Sequence, residues 1–155
     1  MTDHTRLRTK PTATGSPVQA AATLVGVVFL LVGVLGFIPG VTTDSGSLEG
    51  AGHGSHAELF GIFQVSVLHN VVHLVLGAVG IALARTASSA RTFLVGGGAI
   101  YLALWLYGLL VDDDSKANVV PLNTADDWLH LVLGVGMIAL GVVLARRSAT
   151  TADAP

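Results

Sequence analysis

Four long apolar stretches decide what this chain can become. They run over about residues 18–38, 63–84, 92–111 and 128–145, and each is close to the roughly 20 residues that an α-helix needs to cross the hydrocarbon core of a bilayer. The composition agrees. Of 155 residues, 52% are hydrophobic and 12% charged, against roughly 25% charged in soluble domains. Four spans and their connections use almost the whole chain and leave no room for a second, soluble domain. The expected fold is therefore all-α, a polytopic membrane four-helix bundle made of two tandem helical hairpins. The formal net charge of -2 conceals a strong asymmetry along the chain and gives no reason to expect nucleic acid as a partner. With no cysteine, zinc knuckles, disulfides and thiol nucleophiles are excluded.

The boundaries follow from local signals. Residues 1–16 are polar and carry Arg6, Arg8 and Lys10, a composition that reads as a disordered cytoplasmic tail ahead of a four-helix domain over 17–147. Ser16-Pro17-Val18-Gln19 combines a cap serine, proline in the first helical position and glutamine three residues after the cap. Pro39-Gly40 stops the first span. That apolar run is too long for a secretory signal core and has no small-x-small cleavage site before Pro39, so it is expected to be retained. Residues 41–55 form a loop rich in Gly, Ser and Thr. Ser55-His56-Ala57-Glu58 is a second capping-box pattern, and a helix is expected to start there. Continuous helix from His56 to Ala84 would measure about 43 Å, longer than a hydrocarbon core of about 30 Å. Residues 57–64, with Phe60, Phe63 and Gln64, are thus expected to lie along the outer interface. Residues 85–91 make a short basic connection. Asp112-Asp113-Asp114 ends the third span in water, and Thr124-Ala125-Asp126-Asp127 supplies a cap and first-turn acids for the fourth. Residues 148–155 read as a second cytoplasmic tail.

Basic residues near span ends orient the spans. Arg6, Arg8, Lys10, Arg85, Arg91, Arg146 and Arg147 fall on one side of a four-span chain and Lys116 on the other. Both termini are expected in the cytoplasm of a cell with this chain in its plasma membrane. Asp44, Glu49, Glu58, Asp112, Asp113, Asp114, Asp126 and Asp127 then lie outside, and His53, His56, His69, His73 and His130 belong to outer loops or the outer halves of spans.

The chain also repeats itself. His73-Leu-Val-Leu-Gly77 matches His130-Leu-Val-Leu-Gly134, and in that register Ser66 falls on Asn123, His69 on Asp126 and Asn70 on Asp127. Gly26, Phe29, Leu30 and Gly36 of the first span fall on Gly98, Tyr101, Leu102 and Gly108 of the third. Duplication of one hairpin would give two units of the same orientation, related by an axis along the membrane normal.

Intramembrane polar residues are where function is sought first. The plainest reading is that His69, Asn70, His73, Asn123, Asp127 and His130 hydrogen-bond across helices and fasten the bundle, at about 0.6 kcal/mol per contact. No cofactor is then needed, and the protein acts without catalysis through lipid, a second copy of itself or another membrane protein. A sharper reading makes the cluster a binding site. His69 and His73, four apart on one helical face, could give a metal two ligands, with Asp126 and His130 completing the set. Haem would take His73 and His130 as axial ligands. A quinone or lipid head group would hydrogen-bond to His73, Asn70 and Trp128. Other chemistries lack support: Gly96-Gly97-Gly98 follows no strand and is no phosphate loop, and Asp112–Asp114 lacks the twelve-residue calcium pattern. No Ser-His-Asp arrangement stands out, and the span centres carry no charges of the kind that mark an ion pump. The glycines of the spans are close-packing surfaces, and Trp105, Tyr107 and Trp128 suit the aromatic belt.

Gly33-Val34-Leu35-Gly36-Phe37-Ile38-Pro39-Gly40, Leu68-His69-Asn70-Val71-Val72-His73-Leu74 with Gly77, and the segment from Asn118 to Leu131 together resemble a family of small four-span membrane proteins, common in actinobacteria, known as a domain of unknown function. The resemblance covers about residues 20–146. It implies a four-span fold in the plasma membrane and lends no activity.

Overall fold

The computed structural model describes residues 15–52, 54–112 and 115–152, with the backbone alone for 147–152. His53, Asp113, Asp114 and the basic residues of the N-terminal tail lie outside the described residues. Four helices dominate: α1 (Pro17–Leu35), α2 (Val67–Leu83), α3 (Ala87–Leu110) and α4 (Thr124–Ala152). Three of them are long and apolar enough to cross a membrane, Pro17–Leu35, Ala87–Leu110 and Thr124–Arg146, and α2 is a shorter apolar helix of 17 residues. Large apolar side chains such as Leu24, Leu31, Leu106 and Val132 point outward from the bundle, as lipid-facing residues do. The fold is the expected all-α membrane four-helix bundle.

Between α1 and α2 the chain builds a small cap, a three-stranded antiparallel sheet of β1 (Thr42–Thr43), β2 (Glu58–Leu59) and β3 (Phe63–Gln64). This corrects the expected helix start at His56: residues 58–64 form two strands and a turn instead. Ser55 does not cap a helix; its hydroxyl donates to Val65 O at 2.6 Å. Phe60 (φ 58°) and Gly61 (φ 68°) both adopt the left-handed region, which reverses the chain tightly between β2 and β3. The helix begins at Val67, where Ser66 Oγ accepts from His69 N at 3.1 Å. The amides of Val67 and Leu68 donate to Glu49 O and Gly50 O, both at 2.9 Å, so the loop completes the cap of α2.

The other ends are closed as economically. Gln19 Oε1 accepts from Ser16 N at 2.9 Å, as the capping pattern at the start of α1 requires. Its Nε2 donates to Ala84 O and Arg85 O at 2.9 and 2.8 Å, which ties the start of α1 to the end of α2. Helix α3 starts at Ala87, within the expected basic connection, because Thr86 Oγ1 accepts from Ser89 N at 3.2 Å. At α4 the cap is Asn123: Oδ1 accepts from Asp126 N at 3.0 Å and Asp126 Oδ2 accepts from Asn123 N at 3.1 Å. The helix continues to Ala152, past the span end expected near 145.

Packing follows the hairpins. The closest helix contacts pair α1 with α2 and α3 with α4, and both pairs cross at glycines. A Cβ on Gly26 would lie 2.9 Å from Gly77 O, and one on Gly77 would lie 2.7 Å from Gly26 O. In the second hairpin a Cβ on Gly98 would lie 2.7 Å from Gly134 O, and one on Gly134 would lie 3.0 Å from Gly98 O. Without side chains at the crossing, the backbones reach van der Waals contact, which is how helices gain dispersion energy where lipid removes the hydrophobic drive to associate. Gly98→Val is expected to lower stability by about 1–3 kcal/mol through overpacking. Gly96→Ala, whose added methyl meets nothing within 4 Å, should leave it unchanged or raise it. Thermal melts of the two variants in the same detergent check the contrast, and equal melting points would refute it.

Candidate functional site

Where the two hairpins meet, side-chain rings replace glycine. His69 and His73, one turn apart on α2, stack with centroids 4.3 Å apart. His73 Nδ1 lies 3.0 Å from His69 O. A carbonyl oxygen only accepts, so Nδ1 carries the proton, and in the neutral ring Nε2 is the acceptor. Across the seam, Tyr101 of α3 places its hydroxyl 3.1 Å from that Nε2 and donates to it. Tyr101 also stacks on Phe29 of α1 at 5.4 Å and contacts the His130 ring of α4 at 5.1 Å. Phe29 meets His73 edge-on at 5.5 Å. One residue from each helix therefore joins a buried row of rings, with His69 stacked at its end.

The row is the wall between two cavities. One, of about 140 Å³, lies between α1 and α4, where Val28, Phe29 and Val32 face Leu129, His130 and Leu133, and the cap residues Leu59, Phe60 and Phe63 cover it. The other, of about 210 Å³, lies between α3 and α2, where Ile100, Tyr101 and Leu104 face Val72, His73 and Leu76. His69, His73, Tyr101 and His130 border both. Rings wider than glycine hold the hairpins apart, and the cavities are the space left on either side.

The other expected site residues are placed differently. Asp126 borders the first cavity, but its carboxylate serves the cap: Oδ2 accepts from Gln64 N at 3.0 Å as well as from Asn123 N. Asn123 donates through Nδ2 to Ile62 O at 2.8 Å. Asn70 is fully buried with its amide against Gly36, and neither amide atom has a hydrogen-bond partner among the described residues. The Asp127 carboxylate likewise lies against Gly108. Trp128 points out of the bundle, 63% exposed, and neither it nor Asn70 borders the two cavities. Among the described residues no group of three or more His, Asp or Glu is arranged to hold a metal. The Tyr101 hydroxyl stands on the side of His73 Nε2 from which a haem iron would have to approach.

Tyr101 and Phe29 were not among the expected site residues. Their signal was present in the register that sets the first span on the third, where Phe29 falls on Tyr101, but an aromatic ring toward the end of a span reads first as belt. Tyr107 is more than belt as well: its hydroxyl donates to Ala117 O and accepts from Val119 N at 3.0 Å, holding the outer loop before α4.

A family model described as Domain of unknown function (DUF4383) matches residues 19–143. The chain belongs to that family. No curated protein and no solved structure matches it. The matched region contains every residue of the row.

Removing the Tyr101 hydroxyl leaves His73 Nε2 buried and unpaired, at a cost of about 1–3 kcal/mol. Tyr101→Phe should therefore melt at a lower temperature than wild type, while Tyr107→Phe, confined to the outer loop, should melt closer to it. Full stability in Tyr101→Phe would show that the hydroxyl does not fasten the seam.

Proposed function

We propose that this protein is a non-enzymatic protein of the cell membrane that acts by binding and interaction, a duplicated helical hairpin whose two copies are fastened to each other by the row of rings. The observation that carries the reading is the use to which the row's polar atoms are put: His73 spends both ring nitrogens, one on its own helix and one on Tyr101 of the other hairpin. Side chains committed in this way hold helices together.

Duplication is supported by the contacts as well as by the repeated letters. Gly26 on Gly77 corresponds to Gly98 on Gly134, and Asn70 against Gly36 corresponds to Asp127 against Gly108. The residues that face each other in the first cavity correspond, helix for helix, to those in the second. The long loop that builds the cap is the main departure from symmetry.

The orientation rests on the basic residues. With Arg85, Arg91 and Arg146 in the cytoplasm, both termini are cytoplasmic and the cap faces out. Cysteine labelling of whole cells tests it: Ser47→Cys should react with an impermeant maleimide, and Ser88→Cys should react only after the membrane is opened. The reverse pattern would invert the protein in the membrane.

A second reading, a binding protein for a lipid-soluble ligand, is favoured by one observation. His130 is 3% exposed and its Nδ1 has no partner among the described residues. A row serving only as a fastening would leave no such group.

A further inference from the structure

The cavity between α1 and α4 combines an opening, a shape and a polar edge that define one class of ligand. It is bordered by Val28 and Phe60, 42% and 58% exposed. Val28 lies on the apolar span α1, where exposure means exposure to lipid, so the cavity is reached from the membrane interior. Its volume of about 140 Å³ is close to that of an apolar cavity of about 150 Å³ that takes up one benzene ring. Drug-sized ligands need about 300–1,000 Å³. Phe29, Phe60, Phe63 and Tyr101 supply aromatic faces for a flat guest.

The polar edge is His130. Its counterpart His73 spends Nδ1 on the carbonyl one turn back, at 3.0 Å, whereas His130 Nδ1 has no partner among the described residues and, closed off from a water-sized probe, meets a ligand only once the ring turns. A neutral imidazole offers one donor and one acceptor, which suits a ring oxygen in either form, as a carbonyl that accepts or a hydroxyl that donates. Among the described residues no Lys or Arg borders the cavity, so none of them offers a phosphate head group a counter-charge there. The pseudosymmetric cavity has the same imidazoles but walls of Leu68, Val72, Leu76, Ile100 and Leu104, which suit a flexible chain better than a flat ring.

We propose that the cavity between α1 and α4 binds the ring of a lipid-soluble quinone or quinol, with His130 hydrogen-bonded to a ring oxygen. This deepens the second, ligand-binding reading given above and rests on it. The site is one of recognition and involves no electron transfer.

The test uses the full chain in phosphatidylcholine nanodiscs with duroquinone (tetramethyl-1,4-benzoquinone) as probe and durene, the same ring without oxygens, as control. Equilibrium dialysis should show saturable binding of one duroquinone per chain above empty nanodiscs. Durene should bind the wild-type protein about tenfold more weakly, the loss of one buried hydrogen bond, and His130→Leu should lower duroquinone affinity by the same factor. Val28→Trp, which fills the cavity from α1, should abolish binding, and Leu104→Trp, on the far side of the row, should leave it intact. Absence of saturable binding, equal affinity for durene and duroquinone, or loss on Leu104→Trp with retention on Val28→Trp would each overturn the proposal. The fastening role of the row is read separately, from the melting of Tyr101→Phe, so either claim can fail while the other stands.

Discussion

The hydrogen bond from Tyr101 to His73 joins two hairpins that approach each other through rings, and the rest of the architecture depends on that spacing. Within each hairpin, glycine lets backbones touch. Between the hairpins, Phe29, Tyr101, His73 and His130 stand in the way, and a hydrogen bond with stacked and tilted ring contacts takes the place of backbone contact. Two kinds of helix contact in one small bundle give two results. The glycine crossings are tight; the ring crossing leaves a cavity on either side of the row.

The bilayer explains why the polar groups around the cap are arranged as they are. A buried amide or imidazole in the membrane has no bulk water to fall back on, and the fold gives most of those near the cap a partner, with the Asn70 amide and His130 Nδ1 left without one among the described residues. The cap does much of this work. It satisfies the first amides of α2 through Glu49 O and Gly50 O, receives the Asp126 carboxylate on Gln64 N, and accepts from Asn123 at Ile62 O. Helix α2, at 17 residues, is about 25 Å long and falls short of a full span. Since the same cap covers the cavity between α1 and α4 and not the one between α2 and α3, it also makes the two cavities different.

Much of this was legible in the sequence, for identifiable reasons. Apolar run length located the helices, and Ser16-Pro17-Val18-Gln19 marked the start of α1 because its chemistry is local. The same pattern at Ser55-His56-Ala57-Glu58 misled, since a capping box is defined by four residues while the structure there is decided by the turn at Phe60 and Gly61 and by the bond from Ser55 to Val65. The imidazoles were found because a polar ring in an apolar run is conspicuous. Tyr101 was not, because tyrosine is at home near a membrane surface, and only its register against Phe29 hinted at an inward role. The separation of the hairpins, and with it both cavities, is a property of four helices at once and has no signature in any one of them.

Nitrogen NMR of the His73 side chain tests the central claim most directly. In the full-length protein, His73 should be the neutral tautomer with the proton on Nδ1 and with Nε2 accepting a hydrogen bond, and Tyr101→Phe should shift the Nε2 resonance toward that of an unbonded acceptor. A proton on Nε2, or an Nε2 resonance indifferent to Tyr101→Phe, would mean that the hairpins are not joined through this pair.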